Sequence, residues 1–346
     1  MRFQNVCIEG FSHALGERVV TSEELERRLA PFYERMGFSV GRIELMSGIR
    51  ERRFFASGTK PSDISARAGE RVLEQTGFDR SRIGCVIHSS VCRDHMEPAT
   101  AATVHRALKL PAACQLYDVS NACLGFANAM LIVANMIELG QIEAGMVVAG
   151  EDGGPLVEAT VQRMLTDASI TRKSSKLSFA SLTIGSGGAA VILTSKKLST
   201  RGHRLVGGAM RVATEHNQLC QGGMTAGNSV GPLMETDSET LMHHGIALAA
   251  QTWRDAKESL GWNNGDVGRV FTHQVGSAHR KMVFSTLELE PKLDFPTVET
   301  LGNIGSAALP VAVALGSEQG VIKRGDKVAL LGIGSGLVCL NLGLEW

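Results

Sequence analysis

The chain has 346 residues, more than one hydrophobic core serves, and 44 % of them are apolar, enough for two packed units. Lys plus Arg and Asp plus Glu both number 35, so no net field draws the protein to nucleic acid or an anionic membrane. Seven scattered cysteines without C-x-x-C spacing argue against structural zinc or a disulfide framework and for reduced thiols in the cytoplasm.

Residues 2–9 read as a strand. Thr21-Ser22-Glu23-Glu24 is a capping box that opens a helix, and Pro31 breaks or restarts it. Pro61-Ser62-Asp63 starts a second helix. A buried run follows at 84–90, then a helix near 99–108, a strand at 115–119, a long helix at 124–139, and strands at 144–150 and Ala189 to Thr194. A second series has the same grammar: a strand at 203–213, a helix at 238–260, a strand at 269–274, helices at 278–287 and 305–317, and strands at 327–332 and 337–343. The Gly/Ser/Thr/Asn-rich stretch 221–231 is expected to be a mobile loop. No basic segment precedes an apolar run in Met1 to Leu15. Only the helix after Cys123 approaches 18 uncharged residues, and glycine and asparagine interrupt it, so neither secretion nor membrane spanning is expected.

Tyr117-Asp118-Val119-Ser120-Asn121-Ala122-Cys123-Leu124-Gly125-Phe126 delivers one cysteine from a short strand to a helix start. The partial positive charge of a helix N-terminus favours a thiolate there. A fall in pKa from about 8.5 to about 6.5 would raise the thiolate fraction at pH 7 from about 3 % to about 75 %. Cysteine is also among the residue types most often buried, so a structural thiol stays open on position alone. Val270-Phe271-Thr272-His273-Gln274 reads as a buried strand ending in histidine. Glu299-Thr300-Leu301-Gly302-Asn303-Ile304-Gly305-Ser306 is a glycine-punctuated turn before a helix, and Leu331-Gly332-Ile333-Gly334-Ser335-Gly336 lies near the end of the chain. Singly, such a histidine is a core group, such an asparagine a cap, and G-x-G-x-G a weak signal.

Together, Cys123, His273 and Asn303, separated by 150 and 30 residues, resemble the Cys-His-Asn set of thiolase-fold condensing enzymes, and the likeness spans the whole chain. Ser47-Gly48-Ile49-Arg50-Glu51-Arg52-Arg53 is similar to the T-G-I-R-E-R-R segment of the ketoacyl synthase III branch. Ser89-Ser90-Val91-Cys92-Arg93-Asp94-His95-Met96-Glu97-Pro98-Ala99-Thr100 resembles the members that join two fatty acyl thioesters head to head, which carry a glutamate before this proline. The resemblance implies an α/β thiolase fold of two duplicated halves, 1–196 and 197–346, stacked as α-β-α-β-α. The first half would carry Cys123 and the Glu97 loop, the second His273 and Asn303.

The implied chemistry is acyl transfer without cofactor or metal, from acyl-CoA or an acyl carrier protein. Cys123 captures an acyl group, a step suited to a thiolate. The backbone N–H groups of Cys123 and Gly336 form the oxyanion hole, and the Gly334-Ser335-Gly336 loop permits close backbone approach. His273 and Asn303 donate hydrogen bonds to the enolate oxygen of the second thioester, and Glu97 removes its α-proton. Burial in a dry pocket would raise the Glu97 pKa, and the loop would reach the partner's site in a homodimer. The product would be a 2-alkyl-3-ketoacyl thioester or acid. A decarboxylating ketoacyl synthase III using a malonyl donor, and an acyl thioester hydrolase, are the alternatives. His88, His95, His243, His244 and His279 lack metal-ligand spacing and read as structural or surface groups. Cys92 carries no catalytic role, and Arg93 with Asp94 should pin the loop through an ion pair. The branch's tryptophan and arginine clamp for the CoA nucleotide falls on Arg42 and Met46, and its G-D-G-A turn reads Gly185-Ser186-Gly187-Gly188, so both depart from the pattern.

Overall fold

The computed structural model describes residues 1–224 and 231–346. Its first part holds strands β1 (Val6–Leu15), β2 (Arg18–Thr21), β3 (Glu51–Phe54), β4 (Cys85–His88), β5 (Gln115–Asp118), β6 (Ala144–Glu151) and β7 (Gly187–Ser195). Its helices are α1 (Ser22–Arg28), α2 (Ala30–Met36), α3 (Arg42–Ser47), α4 (Pro61–Thr76), α5 (Thr100–Ala107), α6 (Gly125–Glu138), α7 (Gly154–Thr166) and α8 (Ser175–Phe179). The remainder holds β8 (His203–Val212), β9 (Cys220–Met224), β10 (Pro232–Thr236), β11 (Arg269–Thr272), β12 (Lys327–Gly334) and β13 (Val338–Glu345). With them go α9 (Ser238–Leu260), α10 (Ser277–Thr286), α11 (Val298–Leu301) and α12 (Ala308–Glu318).

Nine strands form one sheet in the order β11-β12-β13-β8-β1-β7-β6-β4-β5. The pairing repeats. β4 runs parallel to β6, which runs antiparallel to β7, which runs antiparallel to β1. Likewise β11 is parallel to β12, β12 antiparallel to β13, and β13 antiparallel to β8. The two sets meet where Cys7 and Ile8 of β1 pair with Arg204 and His203 of β8.

Residues alternate between faces, and each face meets a helix. Val147, Val191, Leu330 and Leu340 turn inward, onto Phe126 and Met130 of α6 and Val311 and Val313 of α12. Met146, Val148 and Ile192 turn outward onto Ala68 and Val72 of α4 and Val104 of α5. Ala329, Leu331 and Cys339 turn outward onto Trp253 and Ala256 of α9 and Phe284 of α10. The layers therefore read α4/α5, sheet, α6/α12, sheet, α9/α10, the five-layer thiolase arrangement with α6 and α12 as the shared middle. A fourth apolar cluster joins α1, α2 and α7 in a lobe.

Thr21 caps α1 by accepting from Glu24 N at 3.0 Å, and Pro31 separates α1 from α2, as the capping box and proline predict. The first strand runs over Val6–Leu15 instead of 2–9. Part of the expected 221–231 loop is strand: β9 and β10 pair from Pro232↔Met224 to Thr236↔Cys220, while 225–230 lie outside the described residues.

Candidate active site

The amino ends of α6 and α12 converge. Cys123, Phe126 and Met130 on one side and Ser306, Leu309 and Pro310 on the other line a small apolar cavity of about 10 Å³, roofed by Phe11 and Leu330. Cys123 reaches it through a strained turn: Ala122 takes the left-handed conformation at φ 44°, which costs a residue with a Cβ on the order of 1 kcal/mol. Glycines on β12 make room for this turn. A Cβ on Gly334 would lie 3.0 Å from Leu124 Cγ and 3.6 Å from Cys123 Cβ, and one on Gly332 would lie 2.3 Å from Leu124 Cδ2.

The thiol is not lowered toward 6.5. Burial pushes Cys123 up to about 12, with the Cys220 thiol and the Glu151 carboxylate adding to the rise. The backbone N–H groups of Ser335 and of Cys123 itself draw it partly back. Burial outweighs the expected helix effect, and the amides of Leu124 and Gly125 are themselves engaged, donating to the carbonyls of Asn121 and Ala122. Gly336, at φ 120°, turns the chain immediately after Ser335.

His273 leaves the end of β11, its backbone N–H donating to Leu331 O at 2.8 Å beside the glycine-rich end of β12. Its ring is 2 % exposed and neither ring nitrogen has a hydrogen-bond partner among the described residues. Burial, then the nearby His279, lower His273 to about 3, so its imidazole is neutral. Burial also lowers His279 to about 4, and this half-buried ring lies near enough to His273 to add to its shift. Gln274 joins the two downstream segments: its Nε2 donates to Phe295 O, and its Oε1 accepts from Thr297 N and Val298 N at 2.8 and 3.0 Å. α11 then leads to Asn303, whose N–H donates to Thr183 O and whose Oδ1 accepts from Gly305 N at 3.1 Å. The Asn303 side-chain nitrogen is left as a donor.

Glu97 stands apart. It is exposed on a loop with Val91 and Met96, the latter 86 % exposed, so its own protomer does not supply the dry pocket expected around it. Arg93 and Asp94 do not pair; Asp94 Oδ1 instead accepts from Ser62 N at 2.9 Å, tying the loop to the first turn of α4. Cys92 is pushed well above its usual range, chiefly by burial. The sequence reading missed Glu151, a carboxylate 4 % exposed at the end of β6. The available signal was a charge closing the otherwise apolar run Ala144-Gly145-Met146-Val147-Val148-Ala149-Gly150. Among the described residues no group of three or more His, Cys, Asp or Glu could hold a metal ion.

Residues 46–182 match the N-terminal domain of thiolase, and residues 258–346 match the C-terminal region of 3-oxoacyl-[acyl-carrier-protein] synthase III. Fold and matches together define a thiolase-superfamily acyltransferase fold. Over 100 % of both chains the sequence is 41 % identical to the acyl-CoA:acyl-CoA alkyltransferase of Shewanella oneidensis and 36 % identical to that of Xanthomonas campestris. A β-ketoacyl-[acyl-carrier-protein] synthase III of Cereibacter sphaeroides is 27 % identical over 98 % of each chain. The cerulenin-bound crystal structure of Xanthomonas campestris OleA superposes at a TM-score of 0.94, with 36 % identity, covering 100 % of this chain and 98 % of that one. This chain belongs to the acyl-CoA:acyl-CoA alkyltransferase family.

Proposed function

We propose that the protein catalyses a non-decarboxylating Claisen condensation of two fatty acyl thioesters. The observation that carries this reading is Cys123 on the wall of an apolar cavity between α6 and α12, in a chain with full-length likeness to acyl-CoA:acyl-CoA alkyltransferases. The thiol of Cys123 displaces CoA from the first acyl-CoA, forming an acyl-cysteine and free CoA. Because the resting sulfur is protonated, its proton passes to the departing CoA sulfur as the acyl group is transferred. Backbone N–H groups of Cys123 and Gly336 hold the developing oxyanion. His273, neutral, and the Asn303 amide donate to the carbonyl oxygen of the second thioester. Glu97 takes its α-proton, and the carbanion attacks the acyl-cysteine carbonyl and expels the Cys123 thiolate.

Glu97 lies 26 residues before Cys123. The same spacing separates the glutamate and cysteine replaced in crystal structures of Xanthomonas campestris OleA. Its exposure on the isolated chain supports a homodimer in which each loop enters the partner's site, with exposed Val91, Met96 and Tyr117 and the edge strand β5 as the contact surface. Residues 1–196 and 197–346 would then be the two halves, the first giving Cys123 and Glu97, the second His273 and Asn303. Seven free thiols fit a reducing, cytoplasmic setting, and the product fits a role in olefin biosynthesis.

Glu97→Ala tests the reading. With a long acyl-CoA as sole substrate it should release one CoA per Cys123 and then stop, the acyl group recovered on Cys123 by mass spectrometry. Condensation at the unmodified rate would make Glu97 merely structural, as in a decarboxylating synthase. Continuing release of free acid and CoA, with no ketone from the unmodified protein, would mark a hydrolase.

A further inference from the structure

Among the described residues Glu151 is the one buried carboxylate that touches both the loop carrying Glu97 and the turn carrying Asn303. From β6 its Oε1 accepts from Val91 N at 3.0 Å, while Oε2 accepts from Cys92 N at 3.1 Å. The same Oε1 accepts from Ser306 N at 3.1 Å and from Ser306 Oγ at 2.7 Å. Ser306 Oγ also lies 2.8 Å from Ser89 O, so the serine touches the same loop a second time. A Cβ on Gly305 would stand 2.9 Å from Oε1, which shows how closely the turn wraps the carboxylate.

This arrangement carries an electrostatic cost. A carboxylate beside Cys123 opposes formation of the thiolate on which acyl transfer depends, and it contributes to the rise of that thiol. A neutral side chain would leave a more reactive sulfur, so activation of the nucleophile does not account for a glutamate here. What an amide cannot supply is a second acceptor oxygen: Oε1 bridges Val91 N and Ser306 N across the two segments, and Oε2 holds Cys92 N as well.

We infer that Glu151 is a positioning residue for the condensation step, holding the stem of the Glu97 loop in register with the Asn303–Ser306 turn at the mouth of the Cys123 cavity. The loop leaves this anchor at Cys92, five residues before Glu97, so the anchor sets where the proposed base emerges toward the partner site. The turn leaves it at Ser306, three residues after Asn303, so the same anchor sets the enolate donor. The inference rests on the condensation reading. If the unmodified protein forms no carbon–carbon bond, that reading fails whatever Glu151 does.

The test compares Glu151→Gln with the unmodified protein, using a long acyl-CoA as sole substrate. In the variant, first-turnover CoA release is expected within about threefold of the unmodified rate, while condensation falls about 10- to 100-fold. Iodoacetamide labelling of Cys123, assigned by peptide mass, should reach its half-maximal rate at a lower pH, since a negative charge has been removed. Ser306→Ala leaves the carboxylate in place and removes its hydroxyl donor. It supplies the same comparison if Glu151→Gln does not fold, with condensation expected to fall about 3- to 10-fold and CoA release kept. Equal losses in the two steps, or unchanged condensation in either variant, would overturn the inference while leaving the condensation reading intact. An unmoved labelling profile in Glu151→Gln would also contradict it.

Discussion

At Cys123 two influences oppose each other, and their balance sets how the reaction starts. Burial, Cys220 and Glu151 hold the thiol near 12, while two amides pull it down. The sign is simple: the raised pKa means that the neutral thiol is favoured at rest, and the thiolate fraction grows about tenfold per pH unit below that value. Alkylation of Cys123 by iodoacetamide should therefore keep accelerating from pH 7 past pH 9. A plateau below pH 8 would show a preformed thiolate. The His273 imidazole behaves differently, because a value near 3 keeps it neutral through the whole working range. Two unpartnered ring nitrogens in a buried site are expensive unless a ligand satisfies them. Order and spacing nominated Cys123, His273 and Asn303 as the candidate set. Their protonation states were not legible in the sequence, since these depend on burial and on nearby charges; for Cys123 burial leads, and the charges come from Cys220 and Glu151, 97 and 28 residues away in the chain.

The elements that carry these groups were read from local signals wherever those signals were strong. Helix α9 runs over Ser238–Leu260 as its spacing predicts, with Asp237 accepting from Thr240 N. Helix α7 went unread because Gly153, Gly154 and Pro155 look like a turn, although proline in the first turn of a helix sacrifices no hydrogen bond. The β9/β10 pair was hidden by a composition that favours loops; the two strands are held by antiparallel pairing with one another. Between β5 and α6 the strained Ala122 is set by tertiary packing, and nothing in Asn121-Ala122-Cys123 announces it. Because glycine accepts this conformation freely, Ala122→Gly should match or exceed the parent's stability by up to about 1 kcal/mol, seen as an equal or higher Tm. Ala122→Val should lose about 2 kcal/mol or more, since a β-branched side chain is poorly accommodated at positive φ. If valine is tolerated as well as glycine, the turn is not strained.

For the whole molecule, duplication explains why one site draws on both ends of the chain. The two halves of the nine-stranded sheet share α6 and α12 as a middle layer, so the amino ends of those helices bring residues 123 and 306 to one cavity. The resemblance implied that layering and the alternating strands and helices were consistent with it, whereas the exposure of Glu97 fits the proposal that its loop serves the partner's site. Mixing Glu97→Ala with Cys123→Ala under conditions that exchange subunits should restore about a quarter of the activity, because each mixed dimer would hold one intact site. No recovery would confine Glu97 to its own protomer. The most direct measurement supplies the unmodified protein with a single long acyl-CoA and no malonyl donor. The predicted result is a joined 2-alkyl-3-ketoacyl product, with one CoA released for each thioester formed and a second only where that thioester is hydrolysed to the acid. Product that appears only when a malonyl thioester is added, or free fatty acid alone, would contradict the account.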